Sequence, residues 1–374
     1  MSTSNNDIQN ADDVQSVRSP DVWFGDGDIV LRVTSGTVHT LFKVDKCLLS
    51  RYSTFFSAAF EEIDKDVGAE SERYEGTLIL DMHGDAAEDV RDLLLAIYKS
   101  GFLHQHRKPG WYDNRLPTPA FPTIYSGALS LAVQYIFEDV QSIILDHIRE
   151  AWPTTLNGWD ARSLKLCADE LPMIQECRWD LTPVHPDPSA TIRMGVDHNL
   201  TEILPVAYYD LCRISDNYNP DVIPGEFYRW PCCEALRPAE LRRLMSGRRS
   251  LHRDFHTIID DPFLVHCSQN CRRLEEQQNE GTSSLDHAWN WPCKKGLVRW
   301  WKLQFEVCRY DVPDPLDWLL RTSNLTEAIE DGEACEKCRT WFKSHILFLR
   351  QTMWTNLPHI FDLSDDVPST WGTS

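Results

Sequence analysis

The stretch DGDIVLRVTSGTVHTLFKVDKCLLSRYSTFFSAAF, residues 26–60, decides how this chain folds. Ile29, Leu31 and Val33 alternate with Val30, Arg32 and Thr34, the period of a strand with one buried face. Ser35-Gly36 is a turn dipeptide, and Val38, Thr40, Phe42 and Val44 resume the period of two beyond it. The pattern then changes. Cys47, Leu48 and Leu49 crowd into one short helical turn, and Ser53 stands where an N-cap would open a second helix. That helix carries Phe56, Ala59 and Phe60 on its inner face. A hairpin running into two short helices is therefore expected.

On the N-terminal side, residues 1–20 are polar and read as a disordered tail. On the other side, Glu61 to Gly76 is charged and reads as a solvated loop leading to a third strand over residues 77–81. Asp85, with Glu88 three positions on, has the form of a capping box. Val90, Leu93, Leu94, Ile97 and Tyr98 give the following helix an apolar stripe, and Gly101 ends it. Phe102 to Thr123 holds four prolines and reads as a long loop. Two more helices follow near 125–137 and 139–151, striped by Leu129 and Val133, and by Val140, Ile144 and Ile148 with Asp139 as cap.

Asp28 before a hydrophobic strand, Phe42 and Val44 in the second strand, Lys46-Cys47-Leu48-Leu49-Ser50 with Phe55-Phe56, and Leu93-Leu94 with Ile97-Tyr98 resemble the BTB/POZ domain. The resemblance covers residues 26–151. It implies an α+β fold, a small mixed sheet wrapped by helices, assigned here to residues 21–152. It also implies homodimerisation through the hairpin and first helix, with Ile29, Val30, Leu31 and Leu48 buried across a two-fold axis. Asp28 and Lys46 match the charges with which the family lines a groove at that interface. Phe60, Glu61 and Glu62 match the hydrophobic-x-Glu signal of members that recruit a cullin ubiquitin-ligase scaffold. One departure is Asp45, where the family carries His ahead of the basic residue; it alters the groove's charge.

Residues 153–374 read as a mostly α-helical C-terminal domain. Helices are expected near 161–174, 238–259, 297–308 and 341–354, the last striped by Phe342, Ile346, Leu349 and Met353. TPVHPDPSA at 182–190 reads as a proline-rich linker. The runs LPVAYYDL and WTNLPHIFDL, with a late Cys pair, resemble the helical tail of BTB proteins common in mushroom-forming fungi.

Fifty-seven acidic against 37 basic residues give a formal charge of -20, which argues against a nucleic-acid-binding surface. No apolar run approaches the roughly 20 residues that span a bilayer. The N-terminus is polar and acidic, unlike a signal or transit peptide, so an intracellular protein, cytoplasmic or nuclear, is expected. Twelve cysteines then read as reduced thiols or metal ligands. Cys47, Cys167, Cys177, Cys212 and Cys308 lie singly and read as buried structural thiols.

Cys267 and Cys271 are spaced C-x3-C, and Cys335 and Cys338 C-x2-C, spacings that let each pair share one ion. A structural zinc site of these four, closed and non-catalytic, is expected, with Cys293 and His266 as possible substitutes. No nucleotide-binding, nucleophile-elbow or zinc-protease motif occurs, and His266 beside Cys267 is not thereby an aimed base. The chain is therefore expected to be a non-catalytic interaction protein, a dimerising adaptor that presents its helical domain to another protein. The family's roles are ubiquitin-ligase substrate adaptor and transcriptional co-regulator. The alternative is an enzyme with its site in residues 190–374 and the N-terminal domain as an oligomerising handle.

Overall fold

The computed structural model describes residues 15–66, 72–99, 101–103, 122–175, 185–214, 236–260, 271, 293–307 and 312–373, without the side chains of residues 172–174. The chain is mixed α+β and divides into two compact units at Glu150/Ala151.

The expected hairpin is present. β2 (Ile29–Ser35) and β3 (Val38–Val44) pair antiparallel from Ile29↔Val44 to Ser35↔Val38, leaving Gly36 and Thr37 as the loop. Gly36 takes a φ of 58°, the left-handed value that a two-residue hairpin needs at its first position. β5 (Thr77–Met82) pairs in parallel with β2, and α1 (Lys46–Tyr52) and α2 (Thr54–Asp66) lie in the connection between the hairpin and β5.

Two strands go beyond the sequence reading and correct it. β1 (Gln15–Trp23) pairs in parallel with β3, so residues 15–20 are strand rather than disordered tail. As an edge strand with six of its nine side chains exposed, it has no reason to look apolar. β4 (Arg73–Tyr74) pairs antiparallel with β5 across Glu75-Gly76, both at positive φ (50° and 82°), inside the stretch expected to be loop. The sheet order is β1-β3-β2-β5-β4.

β2 is thus the central strand, and Ile29, Val30, Leu31 and Val33 are all at most 1% exposed. Both faces of β2 are covered, not one. Arg32 escapes burial in apolar surroundings by pairing with Asp81, its register partner on β5 (Nη2–Oδ2 2.7 Å), and with Glu72 (Nη1–Oε1 2.5 Å). Its guanidinium holds both carboxyls below the usual range.

Ser53 opens α2 as expected: its Oγ accepts from the Phe56 N–H (3.0 Å) and donates to the Tyr135 carbonyl (2.6 Å). Asp85 does not cap. α3 (Ala87–Tyr98) begins after Ala86, and Asp85 accepts instead from the Tyr135 hydroxyl (2.5 Å). Asp139 likewise sits in the first turn of α5 (Glu138–Ala151) rather than ahead of it. α4 (Ser126–Gln134) ends in a Schellman motif, with Phe137 N–H on the Ala132 carbonyl (2.8 Å) and Ile136 N–H on that of Val133 (3.3 Å). The left-handed position is held by Ile136, at φ 56°, where glycine is usual. A β-branched residue there costs about 1–2 kcal/mol.

In the second unit, α6 (Leu156–Gln175), α9 (Pro238–Asp260), α10 (Lys294–Val307) and α12 (Glu336–Thr355) meet the expected helices. The linker reading of 182–190 is corrected at its end: Asp187 caps α7 (Pro188–Asp197), accepting from the Ser189 N–H (2.8 Å). α11 (Pro315–Leu325), capped by Asp314, was not foreseen. α8 (Leu204–Cys212) is buried at every residue, and the short α13 (Leu357–Ile360) follows α12. Phe342, Ile346, Leu349 and Met353 are buried as expected. Among the described residues no helix is long and apolar enough to cross a membrane.

Two outcomes test this account. Ile136→Gly removes the left-handed strain at a half-exposed side chain, so the unfolding free energy of the N-terminal unit should rise by about 1 kcal/mol in denaturant melts. The second concerns pH. Burial raises Asp92 and Asp89 above the ordinary carboxylate range, so their ionisation opposes folding at neutral pH and the opposition fades as pH falls through the folded values. Asp81 and Glu72 are depressed, so their support persists above the unfolded values and is lost as pH falls through the folded ones. Hydrogen-exchange protection of the β2 amides should therefore rise on mild acidification and collapse at lower pH. Asp92→Asn should flatten the rise.

Candidate metal centre and interaction surfaces

Four buried cysteines, Cys271, Cys293, Cys335 and Cys338, place their sulfurs within 4.8 Å of one another and could hold a metal. Two of the separations are 3.7 Å (Cys271–Cys293) and 3.9 Å (Cys271–Cys335). Both are far too long for a disulfide bond of about 2.05 Å. A tetrahedral ion with sulfur ligands at about 2.3 Å sets its ligands about 3.8 Å apart, so the spacing fits one.

Local structure explains why the sulfurs converge. Cys293 immediately precedes α10, its carbonyl accepting from the Leu297 N–H (3.0 Å). Cys335 is the N-cap of α12, and Cys338 lies in that helix's first turn. Two helix N-termini therefore aim at one point, and the positive ends of their dipoles favour thiolate over thiol. The Cys335 N–H donates to Cys293 Sγ (3.3 Å), a contact that favours the thiolate form. Close approach depends on Gly296: a Cβ there would lie 2.3 Å from the Glu333 carbonyl oxygen, two residues ahead of Cys335.

Burial is the main cause of an upward push on the Cys293 thiol; the Cys335 N–H opposes it, and Cys338 and Cys271 add to it. Four thiols so close cannot ionise together unaided, and a bound dication reverses that balance. Of the expected ligands, Cys271, Cys335 and Cys338 are brought together, with Cys293 as the fourth sulfur. Cys267 and His266 lie outside the described residues. Cys293 shows no close Cys partner in sequence, so spacing did not single it out; the adjoining helix start was the available signal.

The other expected site residues fare unevenly. Ile29, Val30 and Leu31 are sealed in their own unit's core, so they are not open to a second copy. Leu48 is half-buried. Asp28 and Lys46 are neighbours, but through the backbone: Asp28 Oδ1 accepts the Lys46 N–H (2.7 Å), while the Lys46 ammonium pairs with Asp64 (2.6 Å). Asp45 accepts from the Tyr98 hydroxyl (3.2 Å) and donates its N–H to it (2.8 Å), which ties α1 to the end of α3. Phe60 is 4% exposed, on the buried face of α2 as expected, and of the three residues only Glu61 and Glu62 face solvent. The hydrophobic-x-Glu reading therefore lacks its hydrophobe. Cys47 and Cys167 are exposed, against expectation; Cys212 is buried; Cys177 and Cys308 lie outside the described residues.

An apolar surface appears elsewhere on the first unit. Tyr52, Phe55, Val133 and Ile136 are each 37–44% exposed. Phe55 lies against Tyr135, with ring centroids 5.0 Å apart, and the Tyr135 carbonyl takes the hydroxyl of Ser53, the neighbour of Tyr52; Val133 and Ile136 flank Tyr135 in sequence.

No protein-family model, no curated protein and no solved structure matches this chain.

Proposed function

We propose that the chain is a non-catalytic protein–protein interaction protein. Its N-terminal unit is of the BTB/POZ type and self-associates, and its helical unit, braced by a structural zinc ion, is presented to a second partner. The observation that carries the reading is the half-exposed cluster of Tyr52, Phe55, Val133 and Ile136. It takes the place of the buried hairpin residues as the contact surface. Holding Ile136 outward at φ 56° is consistent with a side chain kept for a partner rather than for the fold. Four cysteine ligands leave no open coordination position, so the zinc would brace rather than catalyse. It would join α10 and α12 to Cys271, segments distant in sequence. Pairing two chains would raise the effective concentration of their helical units at a shared target.

Light scattering on the full chain at tens of micromolar should give twice the mass of one chain, and Ile136→Asp should halve it, because a carboxylate would be desolvated without a partner. A monomer for the unaltered chain would end the self-association reading. Elemental analysis of purified protein should find about one zinc per chain, lost in Cys338→Ser. Chelation should abolish hydrogen-exchange protection in α10 and the first turns of α12 while leaving β2 unchanged.

A further inference from the structure

In a chain of formal charge -20, α9 carries a strongly basic face. In α9, Arg242, Met245, Arg249, His252, Arg253 and His256 fall within about 100° of arc along ~21 Å of helix. The opposite face is fixed, because Gly247, Leu251, Phe255 and Ile259 are buried and a Cβ on Gly247 would lie 2.1 Å from the Phe361 ring. Arg248 points inward, donating to the carbonyls of Cys212 (3.2 Å) and Ile214 (2.9 Å). Arg242 and Arg249 are exposed, Arg253 is 70% exposed, and Met245 is 66% exposed. On α9 itself Asp254 lies 3.6 Å from Arg253, and Asp260, about five turns beyond Arg242 on the same arc, ends the stripe with an exposed carboxylate. The helix packed beside it does not cancel the charge: α10 has Lys294, Lys295, Arg299 and Lys302 against Glu306.

We infer that this face of α9 docks an acidic polypeptide segment that also carries apolar side chains. Guanidinium forks pair with carboxylates two bonds at a time, and Arg242, Arg249 and Arg253 recur at i, i+7 and i+11 on one line. Met245 sits among them, and an exposed thioether adapts to varied apolar partners. A polynucleotide fits less well. Its phosphates would approach an otherwise acidic protein, which opposes a polyanion at long range. His252 and His256, with Nε2 atoms 3.1 Å apart, extend the stripe toward the helix end. This surface contains neither the Tyr52 and Phe55 patch nor a thiol, so self-association or zinc binding can fail without overturning it.

The test is fluorescence anisotropy on the full chain. Its probe is a labelled peptide of roughly 20 residues built from Glu and Leu; the controls are the same peptide with Gln for Glu and a single-stranded DNA of similar length. The Glu peptide should bind, and binding should weaken severalfold between about 50 and 200 mM salt. A triple Arg242→Glu, Arg249→Glu, Arg253→Glu variant should lose about tenfold or more, and Met245→Ser about threefold. Arg321→Glu, at a guanidinium 78% exposed on α11, should bind as the unaltered chain does. Circular dichroism establishes that the triple variant is folded. If it is not, the peptide pair decides, and equal affinity for the Glu and Gln peptides overturns the inference. Wild-type affinity in a folded triple variant overturns it as well, as does tighter binding of the DNA than of the Glu peptide.

Discussion

The second unit is organised around one carboxylate that water does not reach. Asp210 lies at 0% exposure in α8, a helix buried on every side. An isolated charge there would be prohibitive. Arg162 of α6 (3.1 Å) and Arg213 (3.2 Å) pair with it from two directions. Arg162 stacks over the rings of Trp152 and Trp159 (4.5 and 4.8 Å), and Arg213 over Trp159 (5.1 Å). Arg213 also reaches Asp314 (2.6 Å), the cap of α11, which accepts from the Tyr209 hydroxyl (2.5 Å). Arg350 of α12 joins Asp160 of α6 to the Leu316 carbonyl (2.8 Å). Four helices are thus keyed to each other by ionic contacts. Removing one member of such a set costs about 3–5 kcal/mol, because its partners stay buried and unpaired. The indole faces explain how the guanidiniums tolerate burial: a planar, weakly hydrated guanidinium stacks on them and gives up less hydration than an ammonium would.

The thiol cluster answers the same problem in the opposite way. In the Asp210 network each negative charge finds a side-chain cation. Around Cys293 the compensation on view is backbone: two helix N-termini and one N–H, supplemented by an ion if one is bound. Backbone dipoles are held by their helices, so this compensation is directed at the sulfurs as long as α10 and α12 are folded. Gly296 is the packing condition that permits it, since any side chain would push α10 off the Glu333–Cys335 segment.

How much of this was legible follows from what each residue answers to. β2, β3, β5 and the five helices of the first unit could be read because their apolar periods are set by burial, a local signal. β1 and β4 could not, since edge and two-residue strands hold their place by backbone pairing, which leaves no pattern in side chains. Asp85 and Asp139 looked like caps but were claimed by tertiary partners or by the helix itself. The same reasoning shows a missed signal: Asp187-Pro188 and Asp314-Pro315 each put a capping carboxylate ahead of a proline at the first helical position, and both open helices. Reading the first as linker mistook a helix start for a breaker. The thiol site was legible in part, because C-x2-C is local and Cys293 is not.

The two exposed surfaces make different demands on whatever binds them. Around Tyr135 the patch is apolar, and its attraction comes from removing area from water, so sulfate-type salts strengthen it. Along α9 it is ionic, and about 0.15 M salt shortens its reach to about 8 Å. Low salt therefore favours the α9 face and strongly salting-out conditions the Tyr135 face. For an acidic chain the distinction has a further consequence. Two copies of charge -20 repel at long range, so contact between them must rest on a surface whose attraction does not depend on charge. Tyr52, Phe55, Val133 and Ile136 meet that condition, whereas the arginines of α9 are suited to a partner more acidic than the chain itself.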